Sequence, residues 1–148
     1  MPTSPITAAP ELLADALRPL LLRLSRRLRQ EAQKAGVSAL DALILGQIHR
    51  KPGVGVCELA DAERLSRPTM SGHVKRLEAA GWVARADHAE DGRRSGLAGA
   101  PAGDARIEDI RRLRNDWLSS RLTQLSEAER DQIAQAAPAL LKLLSLDA

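Results

Sequence analysis

The side chains with the clearest capacity for chemistry lie in the run Ser66–Gly81, where basic and hydroxyl groups recur at helical spacing. Met70, Val74 and Leu77 repeat at i, i+4 and i+7, which predicts one apolar helix face. The other faces carry basic, hydroxyl and imidazole groups, namely Arg67, Thr69, Ser71, His73, Lys75 and Arg76. Because Arg and Lys bind phosphates or guanine, and Ser and Thr contact either, this pattern suits a DNA major groove. A basic helix considered alone is more often a solvated surface.

This helix has a predicted start and a predicted stop. Ser66 is a candidate N-cap, and Pro68 lies in the first turn, where a missing N–H is tolerated. Gly81 is placed to end the helix in a left-handed conformation. The sequence therefore predicts a helix over residues 66–80.

Further elements are predicted on both sides of this helix. Upstream, the segment CELADAERL predicts a short helix with Leu59, Ala60 and Leu65 inward, so that two helices form a helix-turn-helix. Downstream, WVAR, then ADHAEDGRRSG, then weakly apolar residues predict a strand, a turn and a strand. The turn of this wing carries Arg93 and Arg94, and Val54–Val56 is long enough for only a single strand pairing with it.

Together these elements resemble a known family. The segment ELADAERLSRPTMSGHVKRLEAAGWVARADHAEDGRR is similar to the winged helix-turn-helix of the MarR family of bacterial transcriptional regulators. The resemblance depends on Leu-Ala in the first helix, Leu-Glu-x-x-Gly-Trp-Val closing the second, and Arg85 followed by Asp91-Gly92-Arg93. It extends over roughly Leu12 to the C-terminus. It implies a fold that is mainly α with a small β wing, a winged helix-turn-helix flanked by long N- and C-terminal dimerisation helices.

The resemblance implies a homodimeric regulator, usually a repressor, that binds double-stranded DNA at an inverted-repeat operator. Helix 66–80 is expected in the major groove and wing Arg93 in the minor groove, with Arg85 and Asp91 bracing the wing. The DNA-binding set implied in this way is Arg67, Pro68, Thr69, Ser71, Gly72, His73, Lys75, Arg76, Arg93 and Arg94. Within it, Lys75, Arg76 and Arg94 are expected to hold phosphates. Base reading is expected from Arg67, Thr69, Ser71 and His73.

Small phenolic or aromatic carboxylate compounds release many members of the family from DNA, so the resemblance implies an effector of that type. Trp117, His49 and the arginines of the first helix are candidates to line its cleft, although core packing and solvated surface explain them equally well. No cofactor is expected. A metal site is not expected either, because His73 has no second ligand at i+3 or i+4.

The sequence departs from the family pattern at two places. Gly72 stands where relatives often carry a base-contacting Arg, and a glycine inside a helix costs about 0.5–1 kcal/mol relative to Ala. Either the backbone approaches DNA closely there or base reading has moved to neighbouring residues. The returning wing strand, Ser95–Ala100, is rich in residues of poor strand propensity. We therefore expect a weakly paired wing that is disordered without DNA.

Long helices are predicted on both sides of the DNA-binding domain, residues 36–103. Residues 11–35 carry a leucine-rich face, and Pro19 is expected to kink or divide this helix. Residues 104–148 contain two more helices, the second opened by a capping box at Ser126 and kinked at Pro138. The apolar faces of these helices are wider than a surface helix needs, so we expect the helices to form a homodimer interface. A monomer with an internal three-helix core is the alternative. Residues 1–10 are expected to be a flexible tail.

Ser38 is expected to cap a helix over Ala39–Arg50, and Gly55 to cap the helix of CELADAERL. Cys57 then falls in the first turn of that helix, where backbone N–H groups favour a thiolate. An oxidant sensor acting through Cys57 is therefore an alternative function. A winged helix used only as a protein-interaction module is another.

Composition narrows the remaining classes. The 148 residues correspond to about one domain, with 22 basic and 19 acidic side chains and a single cysteine. One cysteine fits a reducing cytosol, and the sequence shows neither a signal peptide nor an apolar run of membrane-spanning length. Phe and Tyr do not occur, which argues against stacking of single-stranded nucleic acid. An enzyme is not expected, because no nucleophile elbow, phosphate loop or metal-ligand spacing occurs.

Overall fold

The computed structural model describes residues 9–86 and 96–146. They form six helices and two strands in this order: α1 Pro10–Gln33, α2 Ala39–Arg50, α3 Val56–Glu63, α4 Arg67–Ala79, β1 Val83–Ala86, β2 Gly96–Gly99, α5 Pro101–Leu122 and α6 Glu127–Ser145. The two strands make one antiparallel sheet. The expectation of a mainly α fold with a small β wing is confirmed.

Helix ends follow the predicted capping residues. The Ser38 Oγ accepts the Asp41 N–H at 3.1 Å and the Ser66 Oγ accepts the Thr69 N–H at 3.2 Å, which begins α2 and α4. Gly55 precedes α3 without a side-chain cap. At the end of α4, Gly81 takes a left-handed φ of 77°, which only a glycine adopts without strain. Each of these signals depends on residues within one turn, which is why the sequence predicts them.

Two compact units divide the chain, Met1–Arg114 and Asn115–Ala148. The core of the first unit is assembled from short aliphatic side chains on α2, α3, α4 and both strands. Its most buried members are Ile44, Leu45, Ile48, Leu59, Met70, Val74, Leu77 and Leu97. The inward face of α2 includes Leu45, whereas Leu43 is 45% exposed. The separation into a dimerisation region and a DNA-binding domain over 36–103 stays a prediction.

The base of the wing is more regular than expected. Strand β2 pairs with β1 at all four positions, from Val83 opposite Gly99 to Ala86 opposite Gly96. Val54 makes the single bridge to Leu97 that the sequence predicts. The expectation of weak pairing is therefore wrong for residues 96–99. A side chain at Gly96 would clash with the Gly53 backbone, so glycine is needed there for close packing.

The remainder of the wing, residues 87–95, lies outside the described residues. The expectation of a wing that is disordered without DNA concerns those residues and stays a prediction. The expected positions of Asp91, Arg93 and Arg94 fall in the same segment.

Prolines do not divide the long helices. Helix α1 runs without interruption through Pro19, so of the two predicted effects, a kink or a division, the division is excluded. Proline removes one N–H donor to the preceding turn, and the remaining helical bonds are enough to continue the helix. Helix α6 likewise continues through Pro138, and its capping box at Ser126 and Glu129 is confirmed. Whether either helix bends at its proline stays a prediction.

Large apolar side chains remain exposed on two helices. On α1 they are Leu12, Leu13, Leu20, Leu21, Leu22 and Leu24, and on α6 they are Ile133, Leu140, Leu141, Leu143 and Leu144. Leu144 is 75% exposed, and none of the residues of α6 is buried. Large exposed apolar patches often take part in interactions with other molecules. Among the described residues, no helix has the length and apolar character needed to cross a membrane.

Candidate nucleic-acid interface

Helix α4 is anchored by one apolar face. Met70 and Val74 are 0% exposed and Leu77 is 1% exposed, so the three predicted core positions are all buried. The opposite side presents the predicted contact residues to solvent: Arg67, Pro68, Thr69, Gly72, Lys75 and Arg76 are exposed, and Ser71 and His73 are half-buried. A rigid helix with a solvent-facing basic and hydroxyl surface is therefore available for binding.

The N-terminus of α4 is electropositive. Its first turn contains Arg67 and Pro68 and no acidic residue, and the backbone N–H groups of this turn add a partial positive charge. The Ser66 and Thr69 hydroxyls are 2.7 Å apart, so each is held by the other in the capping turn. Such an end attracts anions, including the phosphates of a nucleic acid.

Gly72 lies on the exposed side of α4. No atom of the described residues lies within 4 Å of the place where a Cβ would stand, outside the helix's own nearby backbone. Internal packing therefore does not require glycine at this position, although a helical glycine lowers stability. The absence of a side chain leaves the helix backbone open to close approach from outside.

Arg76 and His73 both contact Asp41, a residue that sequence reasoning does not select. The Arg76 Nη2 donates to the Asp41 Oδ1 at 2.6 Å and to the His73 Nδ1 at 2.9 Å. The Asp41 carboxylate is 10% exposed and belongs to the first turn of α2. Acidic residues are common in the first turn of a helix, where they complement the helix dipole. The position of Asp41 in the sequence therefore does not indicate its contact with Arg76, 35 residues away.

Polar pairs join α3, the first helix of the helix-turn-helix, to α2. Gln47 of α2 donates to the Glu63 carboxylate, and the Lys51 Nζ donates to the Glu58 Oε2 at 2.6 Å. The hydrogen bond and charge of Lys51 lower the pKa of Glu58. Arg64 ends α3 with a left-handed φ of 54°, which turns the chain toward α4. These contacts fix the helix-turn-helix against α2.

The described part of the wing is tied to α4 through Arg85. Its Nε lies 3.4 Å from the Glu78 Oε1 in the last turn of α4. The expected partner of Arg85 in bracing the wing, Asp91, lies outside the described residues. The geometry therefore gives Arg85 a partner that the sequence does not indicate.

An apolar cleft of about 420 Å³ opens between α1 and α2. Its walls are Leu21, Leu24, Ser25, Leu28, Arg29, Ala39, Leu43 and Arg114. Burial lowers the pKa of Arg114, and the nearby charge of Arg29 lowers it further. Two guanidinium groups beside leucine side chains make this cleft suitable for an amphipathic anion.

The other candidates for the effector cleft have different surroundings. His49 Nδ1 lies 3.3 Å from the Asp104 Oδ1, and Arg121 stacks over the Trp117 ring at 4.8 Å. Of the first-helix arginines, Arg29 lines the cleft. Cys57 is a half-buried free thiol in the first turn of α3, and no metal-binding cluster occurs within residues 9–86 and 96–146.

The fold and this surface define a winged helix-turn-helix protein, and comparisons with known proteins agree. The profile of the MarR family matches residues 35–94. The HTH-type transcriptional regulator MT0903.1 of Mycobacterium tuberculosis is 33% identical over 132 residues, which cover 89% of this chain and 92% of that protein. The chain belongs to the MarR family of transcription regulators.

Solved structures show the same fold. A putative transcriptional regulator from Pseudomonas aeruginosa PA01 superposes with a TM-score of 0.79 at 32% identity, covering 90% of this chain and 94% of that chain. A point mutant of MepR from Staphylococcus aureus, bound to an oligodeoxyribonucleotide, has a TM-score of 0.65 at 21% identity, covering 89% of this chain and 97% of that chain.

Proposed function

We propose that this protein is a homodimeric, sequence-specific repressor that binds an inverted-repeat operator in double-stranded DNA. The observation that carries the proposal is the exposed basic and hydroxyl face of α4, held by three fully buried apolar residues. The MepR mutant, a protein of the same fold, is bound to an oligodeoxyribonucleotide. Membership of the MarR family supports the same assignment.

The contact residues divide by chemistry. Arg67, Thr69, Ser71 and His73 read base edges in the major groove, where guanidinium, hydroxyl and imidazole groups match the donors and acceptors of bases. Lys75, Arg76 and Arg94 hold phosphates, which sets affinity and its salt dependence. Arg93 enters a narrow minor groove, whose negative potential attracts arginine. Pro68 and Gly72 allow the helix backbone to lie close to the groove.

The exposed leucines of α1 and α6, other than the cleft residues Leu21 and Leu24, form the dimer interface in this proposal. Burial of apolar surface contributes about 25 cal/mol per Å², so covering these stripes with a second copy is strongly favourable. A two-fold dimer presents two copies of α4 to successive major grooves, about 34–36 Å apart. The operator is therefore an inverted repeat.

The cleft between α1 and α2 is the proposed effector site. A small aromatic carboxylate places its ring among Leu21, Leu24 and Leu28 and its charge beside Arg29 and Arg114. An anion there offsets the unfavourable proximity of two cations, one of them partly buried. Release of DNA follows if the compound binds the free arrangement of the dimer more tightly than the DNA-bound arrangement.

Fluorescence anisotropy tests the DNA-binding function. The protein is titrated onto a duplex from upstream of its own gene and onto a scrambled duplex, at about 50 to 200 mM salt. Tight binding to the first duplex alone, with affinity falling steeply as salt rises, is the expected result. Absence of binding to both duplexes at low salt contradicts the proposal and favours a protein-interaction role.

A further inference from the structure

A buried carboxylate on α2 contacts two side chains of the DNA-facing helix. Asp41 has a side chain that is 10% exposed, and a carboxylate removed from water requires charged or hydrogen-bonding partners. Its partners, Arg76 and His73, lie one turn apart on α4. The Ser38 Oγ caps α2 by accepting the Asp41 N–H, whereas the Asp41 carboxylate contacts α4.

The geometry decides which nitrogen of His73 carries the proton. The Arg76 Nη2 lies 2.9 Å from the His73 Nδ1, and a guanidinium N–H can only donate. The His73 Nδ1 must therefore accept, which places the ring hydrogen on Nε2.

The same contact changes what Arg76 can do. Its guanidinium is 57% exposed and therefore available to a phosphate, yet one Nη2 serves both Asp41 and His73. A neighbouring carboxylate also offsets part of the positive charge that attracts any DNA, whatever its sequence. Asp41 thus lowers non-specific attraction at the position where it orders His73.

We propose that Asp41 is a positioning residue for DNA reading, which acts through Arg76 to present the Nε2–H of His73 as a donor. This inference rests on the proposed function, since it assigns the donor to base recognition. The Nε2–H donor matches acceptors such as the O6 or N7 of guanine in the major groove. The charged groups that contact His73 in the described structure are Asp41 and Arg76.

The tautomer is measured on the free protein by long-range ¹H–¹⁵N correlation of the histidine rings. The His73→Gln variant identifies the His73 signals by their loss. Wild type is expected to show a protonated Nε2 and an unprotonated Nδ1, and Asp41→Asn and Arg76→Met are expected to convert this into a tautomer mixture. An Nδ1–H tautomer in wild type, or signals unchanged in both variants, overturns the proposal.

DNA binding supplies the second readout, with Asp109→Asn as the matched control because Asp109 pairs with Arg112 on α5, 2.9 Å away. Asp41→Asn is expected to reduce the preference for the upstream duplex over a scrambled duplex about tenfold, the loss of one good base contact. Affinity for the scrambled duplex is expected to stay equal or rise, and Asp109→Asn is expected to keep the wild-type preference. Equal weakening on both duplexes means a merely structural role and overturns the proposal.

Two further controls separate failure of this proposal from misfolding of a variant and from failure of the proposed function. If Asp41→Asn fails to fold, as judged by circular dichroism, Arg76→Met replaces it in the tautomer measurement alone, because Arg76 is largely exposed but is itself a phosphate contact in the proposed complex. If wild type binds neither duplex at low salt, the proposed function fails, and the tautomer spectra separately decide whether Asp41 orders His73. Gln at position 73 retains a donor close to the place of Nε2, so His73→Gln is expected to keep most of the preference.

Discussion

The Nε of Arg85 in β1 lies 3.4 Å from the Oε1 of Glu78 in the last turn of α4. This ion pair joins the base of the wing to the helix that faces DNA in the proposed complex. Both side chains are partly exposed, at 46% and 30%, so the pair adds little to stability. Its consequence is positional, because it links β1, at the base of the wing, to the last turn of α4.

Breaking this pair is predicted to affect binding more than folding. Arg85→Ala is expected to change the free energy of unfolding by less than about 1 kcal/mol, the usual range for an exposed pair. Operator affinity is expected to fall several-fold, since wing Arg93 is less well placed. Urea unfolding and anisotropy measure the two effects. The companion Glu78→Ala should produce a similar loss, and additive losses in the double variant would contradict the coupling.

Gly72 is predicted to lower the stability of α4 and to allow its backbone to approach DNA closely. Gly72→Ala fills open space and is expected to stabilise the protein by about 0.5–1 kcal/mol while weakening operator binding. The matched control is Gly46→Ala in α2, where a Cβ meets only the Arg50 Nη1 at an ordinary 3.5 Å. The control should gain comparable stability with unchanged affinity. Unchanged affinity in Gly72→Ala as well would mean that the helix backbone does not approach the groove.

The apolar stripe of α6 is predicted to hold the dimer together. Leu144 is 75% exposed in the single chain and is buried in the proposed dimer. A glutamate at this position would place a charge in the interface, and burial of an unpaired charge is unfavourable. Leu144→Glu is therefore expected to shift the protein to monomer in sedimentation velocity and to abolish operator binding. Gln135→Glu adds the same charge to an exposed position of α6 away from the stripe and should leave the dimer intact. A dimeric Leu144→Glu protein would place the interface elsewhere.

The cleft between α1 and α2 is predicted to bind a small aromatic carboxylate through its arginines. Isothermal titration with salicylate is expected to show binding that Arg114→Met weakens at least about tenfold, because the cation beside the carboxylate is lost. Salicylamide, which is uncharged at the same position, is the control compound and should bind poorly to both proteins. Equal affinity of wild type and Arg114→Met for salicylate would exclude Arg114 from the site.

Local signals in the sequence predict much of this fold and of α4. The caps at Ser38 and Ser66, the stop at Gly81 and the buried stripe of Met70, Val74 and Leu77 all depend on neighbours within a few residues. They are predictable because capping and helical periodicity are properties of a short segment.

Contacts between distant segments are not predictable from one sequence. The link from Asp41 to Arg76 requires the packing of α2 on α4, and neither residue signals the other in sequence. The glycines of β2 predict a weak strand. In the fold, however, Gly96 is needed because the Gly53 backbone lies against it. The proximity of Arg29 to Arg114 in the cleft likewise depends on the tertiary fold.

Selection of bound duplexes from a random DNA library tests the central claim most directly, because the operator sequence does not have to be assumed. The account predicts enrichment of one inverted repeat whose half-site centres lie about 10 bp apart, one helical turn. It also predicts that Arg67→Ala loses the preference at defined base positions, while Lys75→Ala weakens binding uniformly. A library that emerges without an enriched sequence would contradict sequence-specific recognition by α4.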